Sequence, residues 1–203
     1  MALKGLGGLE GMKQMLPLLE LPFSFNIGAR DEREMMQIIY LFLSAEQGKL
    51  LNTEQMKMFE EIGSMVPGFN TERDRIISES NEILVGFIYN HNRDDNIAQS
   101  IVRLADSIYS KNARRSLLWM LVRLVYYYRR GPDNKLNIIM SLLDKWEIDK
   151  SIFDEMKDTA ETYIALNDHW NWLNIHDKGK SLEELEKNEV ELNESISNLI
   201  VVG

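Results

Sequence analysis

Three carboxylates sit beside glycine-containing turns: Glu46 and Glu54 flank Gly48, and Asp133 follows Gly131. A hard cation such as Ca²⁺ collects six or more oxygens, so these groups make a candidate divalent-metal site only if the fold joins the two turns. The same residues also serve as solvated helix-end acids, and Glu54 suits a helix N-terminus. No other cofactor is expected. His169 and His176 lie seven apart in HWNWLNIH, with Asp168 and Asp177 beside them. Seven helical residues rise about 10 Å, too far for both imidazoles to reach one zinc ion, so Trp170 and Trp172 are expected to close the core there. His91, near Asp94 and Asp95, reads as a loop histidine. Arg114, Arg115, Arg123, Arg129 and Arg130 surround Tyr126, Tyr127 and Tyr128. Basic residues among aromatics can bind nucleic acid, but they also describe an apolar helix with arginines at its solvated ends.

A net charge of −9 favours the second reading and opposes nucleic-acid binding, because the phosphate backbone needs a basic footprint. The chain has no cysteine, which excludes a disulfide framework, a thiol nucleophile and thiolate ligation. It has no phosphate-binding glycine loop, dinucleotide fingerprint, nucleophile elbow or HExxH, so a non-enzymatic role is expected. An enzyme with its site inside a helical bundle is the remaining catalytic alternative. No stretch has the roughly 18 uninterrupted apolar residues of a membrane span, and the first residues lack the pattern of a secretory signal. The expectation is a cytoplasmic protein.

The elements that must carry these residues are helical. Only 4 prolines and 12 glycines interrupt 203 residues, and five of those glycines fall within the first 28. That leaves long unbroken stretches of the kind helices require. In residues 1–29, an N-terminal arm, Leu3, Leu6, Leu9, Met12, Met15, Leu16 and Leu19 recur every three to four positions. Four glycines weaken any helix there by about 1 kcal/mol each, so the arm needs a surface to dock on.

Residues 30–177 read as one bundle, with 178–203 forming a C-terminal helix and tail packed on it. Met35–Leu43 is apolar nearly all round, as a central helix should be. Asn52 or Thr53 is expected to cap the next helix, and Asn70 or Thr71 the one after Pro67 and Gly68. Asn90–Asn96 reads as a turn. A helix through Ile97 and Ile101 follows, then a second apolar helix over Arg114–Arg130. Asp149 is expected to cap a helix running toward His169, and Ser181 with Glu184 reads as a capping box. Leu185, Leu192 and Leu199 follow at seven-residue spacing.

Gly48 and Gly131 are 83 residues apart, and the same offset pairs Met35 with Leu118, Met36 with Trp119 and Ile39 with Val122. It also pairs Leu41 with Leu124 and Phe59 with Leu142. The expected fold is therefore all-α, a bundle of about seven to nine helices built from two pseudo-two-fold-related hairpins.

The segments LFLSAEQGKLLNTEQMKMFEEI and LVYYYRRGPDNKLNIIMSLLDKWEIDKSIFDEM resemble the TerB-like helical family of tellurite-resistance proteins over roughly residues 30–166. The resemblance implies a helical fold, a stress-response setting and divalent metal held at acidic turns. Where the family carries aspartate before glycine, this chain has Gln47 and Arg130. The resulting expectation is a TerB-like interaction module that engages a protein partner, or a second copy, through the N-terminal arm or the C-terminal helix. A divalent-metal sensor is the alternative.

Overall fold

The computed structural model describes residues 29–45, 50–88, 93–127, 133–176 and 182–201, and its elements are all helical. Helix α1, Ala29–Ser44, carries the core. Every side chain from Met35 to Leu43 is buried, including Gln37, because neighbouring helices cover it on all sides. Helix α2, Thr53–Ser64, starts with a complete capping box. The Asn52 side-chain oxygen accepts from the Gln55 backbone N–H at 2.9 Å, and the Gln55 side-chain oxygen accepts from the Asn52 backbone N–H at 3.1 Å. Gln55 Nε2 also donates to the Leu43 carbonyl at 2.9 Å, satisfying an acceptor left over at the end of α1.

Helix α3, Phe69–Ile88, begins before either expected cap. Gly68 adopts φ = 76°, a left-handed conformation that lets the chain reverse straight after α2. The Gly68 carbonyl then accepts from the amides of Thr71 and Glu72 at 3.0 and 3.3 Å, so Asn70 and Thr71 lie inside the helix. Helix α4, Arg93–Leu104, also starts earlier than the sequence suggests. Asp94 and Asp95 fall in its first turn. A 3₁₀ turn over Ala105–Ser107 leads to helix α5, Lys111–Tyr127, the second apolar helix.

Helix α6 spans Asp133–Lys145 and helix α7 spans Lys150–His176. Asp149 caps α7 as expected, accepting from the Ser151 amide at 2.8 Å. Helix α8 spans Leu182–Ile200. Its Leu192, Ile196, Leu199 and Ile200 are buried, so two leucines of the seven-residue pattern, Leu192 and Leu199, face this chain's own bundle. Ser181, the expected cap residue, and the turn glycines Gly48 and Gly131 lie outside the described residues.

The element order repeats. In the first half α1 packs on α2, α3 and α4, and α3 packs on α4. In the second half α5 packs on α6, α7 and α8, and α7 packs on α8. The halves meet where α1 touches α5 and α4 touches α6. The pairs Met35–Leu118, Met36–Trp119, Ile39–Val122 and Leu41–Leu124, related by the 83-residue offset, are buried on both sides. Among the described residues, no helix is long and apolar enough to cross a membrane.

Candidate functional site

Of the three sequence-chosen carboxylates, Glu54 is exposed in the first turn of α2. Glu46 lies outside the described residues, and so does the side chain of Asp133, although Asp133 opens α6. The starts of α2 and α6 nevertheless converge on the end of α1. Asn134 Nδ2 donates to the Ala45 carbonyl at 3.1 Å, tying the start of α6 to the residue before Glu46. Gln55 ties the start of α2 to the same end through Leu43. Lys135 is buried there too, its ammonium 5.6 Å from the centre of the Phe42 ring. A cation suits the negative end of α1 and weakens the same spot for a second cation. Among the described residues, no group of three His, Cys, Asp or Glu is placed to hold a metal ion.

The His169 region divides. Trp170 is buried and closes that end of the core, whereas Trp172 is exposed and stacks on His169 at 6.2 Å between ring centroids. His91 and the side chain of His176 lie outside the described residues. The arginines do not all occupy solvated helix ends. Arg123 sits in the interior of α5, fully buried, 5.9 Å from the Trp119 ring centre. Burial pulls its guanidinium down to about 9, against an opposing contribution from Tyr163, and leaves it charged at neutral pH. Its repeat-related partner is Tyr40, equally buried, whose hydroxyl donates to Asn81 at 2.7 Å. The place of Arg123 in the middle of the apolar Arg114–Arg130 stretch separates it from the arginines at the two ends.

A groove of about 510 Å³ lies between α1, the α2–α3 turn and the start of α3. Met36, Val66, Phe69 and Ile76 form its apolar floor, and all four are buried. Glu32, Arg33, Glu72 and Arg75 form a rim of both charge signs. Burial raises the Glu32 carboxyl above its ordinary value. The floor is braced from below: Phe69 meets Phe59 edge-on at 5.4 Å, and Phe59 meets Tyr40 edge-on at 5.1 Å. The rim is braced along the α1–α3 seam. Gln37 Nε2 donates to one Glu79 oxygen at 2.5 Å, and Arg75 Nε donates to the other at 2.8 Å. Arg73 and Glu60 form an ion pair joining α2 to α3.

A second groove, about 410 Å³, lies at the corresponding place in the other half. Its residues from α5 and α7 are Arg115, Ile152, Glu155, Asp158 and Thr159. Each stands 83 positions after a residue lining the first groove: Glu32, Phe69, Glu72, Arg75 and Ile76. The remaining wall is α8, through Ser195, Asn198 and Leu199. Arg115 donates to the Leu199 carbonyl at 3.4 Å, placing a cation against the C-terminal end of that helix. One groove therefore has a helix end seated along it. In the other, α4 ends at Leu104 and, among the described residues, supplies no lining residue. These residues escape a reading based on chemistry-bearing motifs, but the 83-residue offset carried into α3 and α7 picks them out.

No family model, curated protein or solved structure matches this chain.

Proposed function

We propose that this protein is a non-catalytic helical interaction module that receives an amphipathic helix in the groove between α1 and α3. The observation that carries the reading is the pair of repeat-related grooves, one of which has the last turns of α8 along its wall. An apolar floor of four buried side chains, rimmed by charges of both signs, suits a helix that presents residues at i, i+3, i+4 and i+7. The apolar face of α8 is spent within the bundle, so partner recognition falls to this groove and to the N-terminal arm. On the resemblance to TerB-like proteins, the setting we propose is a stress response of the tellurite type.

The test is selection of a displayed library of helix-forming peptides against the full chain. Enriched peptides should be amphipathic and should shift the amide resonances of Met36, Phe69 and Ile76. Thr71→Arg, which places a long side chain at the exposed groove edge, should abolish binding while leaving the melting temperature close to that of the parent. Selected peptides that leave those resonances unmoved would overturn the reading.

A second reading, a divalent-metal sensor, is favoured by the Asn134–Ala45 tie, which holds the start of α6 against the end of α1. Glu46, Glu54 and Asp133 are its proposed ligands.

A further inference from the structure

Residues 105–110 join the two halves, leading from the end of α4 to the start of α5. The chain leaves helical geometry at Ile108, whose backbone is extended, so carbonyls of this connector need partners outside a helical ladder. Side chains of the second half supply them. The Ala105 carbonyl accepts from the Trp146 indole N–H at 3.2 Å, and the Ile108 carbonyl accepts from Arg114 Nε at 2.8 Å. The Arg114 guanidinium lies over the Trp146 ring, 5.8 Å from its centre, where the ring attracts a cation. Lys145 pairs with Asp106 at 2.5 Å, but Asp106 is exposed and the pair adds little. In the first half, α1 packs on the same 3₁₀ turn. Ala105 and Ile108 are fully buried, so both halves grip the connector.

The internal repeat does not supply this grip. At the 83-residue offset Trp146 corresponds to Gly63 and Arg114 to Asp31. Gly63 has no side chain to extend, and the Phe69 ring crowds the place where its Cβ would stand. The indole and the guanidinium belong to the half that holds the connector.

We propose that Trp146 and Arg114 form a latch on residues 105–110 that makes the two halves unfold as one cooperative unit. The halves also meet where α1 touches α5 and where α4 touches α6. Each of those contacts contains one of the two helices that the connector joins. Releasing the connector lets α4 and α5 shift independently and weakens both contacts. With the latch closed, a ligand that stabilises either half stabilises the other.

Urea unfolding of the full chain, followed by two probes, tests this. All four tryptophans lie in the second half, so their fluorescence follows that half, whereas circular dichroism follows the helices of both. In the parent the two transitions should coincide. Trp146→Phe combined with Arg114→Met removes both hydrogen bonds and the cation while keeping apolar bulk. The fluorescence of the remaining tryptophans and the dichroism should then differ in midpoint by at least about 0.5 M. Gly63→Ala, at the equivalent place in the first half, should lower both midpoints together because the latch is intact. Transitions that stay coincident in the latch variant, or that already separate in the parent, would overturn the proposal. If the double variant fails to fold, Trp146→Phe alone decides by amide exchange. The Ile108 amide, which donates to the Ala105 carbonyl, should exchange at least about tenfold faster while Ile62 in α2 keeps its protection. Equal acceleration at both would mean a plain loss of stability, and the latch falls.

Discussion

Two glycines on neighbouring helices make opposite predictions from the same substitution. A methyl group on Gly63 would come within 2.4 Å of the Phe69 ring, and that ring is held edge-on by Phe59. Overpacking of this kind costs about 1–3 kcal/mol, more than the helical preference for alanine returns. Gly63→Ala should therefore lower the melting temperature by several degrees, at roughly 2–4 °C per kcal/mol for a domain of this size. A methyl group on Gly86 meets nothing within 4 Å, so Gly86→Ala should raise stability by about 0.5–1 kcal/mol. Circular-dichroism melts of the two variants decide the matter, and shifts of the same sign would refute the packing argument. Because Phe69 also floors the groove, Gly63→Ala should weaken peptide binding along with stability.

The seam between α1 and α3 depends on an ionised side chain. The Arg75 guanidinium, by hydrogen bond and charge, holds the Glu79 carboxyl below its ordinary value of 4.5, outweighing partial burial; Arg33 and Gln37 act the same way. The folded state thus binds this proton more weakly than the unfolded chain does. The stabilisation is fully present above pH 4.5 and is lost as pH falls through the lowered folded value. Glu79→Gln should flatten the acid limb of the melting temperature against pH while leaving the neutral limb nearly parallel. An unchanged acid limb would show that the seam is held by packing alone. In the second half, Tyr126 on α5 is pushed up to about 12, chiefly by burial and then by Glu161 on α7. Its contribution is therefore intact below pH 10 and disappears through about pH 12.

For the molecule as a whole, the two functional readings separate in a thermal-shift experiment. A ligand that binds only the native state at a hundredfold excess over its dissociation constant adds about 2.7 kcal/mol. For a domain of this size that is a midpoint rise of about 5–10 °C. If a divalent ion is held at the end of α1, one member of a divalent panel should give this rise after EDTA treatment, and Glu46→Gln or Glu54→Gln should remove it. A flat response across the panel would sink the sensor reading and leave the groove as the functional surface. The net charge of −9 adds a control, because general screening by added ions should move every variant alike.

Much of the architecture was legible because it depends on periodicity and punctuation, which are local. Met35–Leu43 reads as a central helix since few polar residues interrupt it. Asn52 is one of two cap candidates, of which the Gln55 hydrogen bonds select it. The 83-residue offset carries the repeat of α1 in α5. What the sequence could not reach depends on which surfaces meet. Arg123 looks like one polar interruption of an apolar helix until α7 packs over α5 and the residue is buried. The start of α3 was misplaced because Gly68 reverses the chain at once, a backbone state that residue type permits without requiring. The leucines of α8 look equally suited to a second chain, and only the packing of α8 on α5 and α7 assigns Leu192 and Leu199 to this bundle. The groove carries no motif at all, because its floor and rim come from three elements separate in sequence. A concavity is a property of how helices are spaced, and that spacing is decided by tertiary packing.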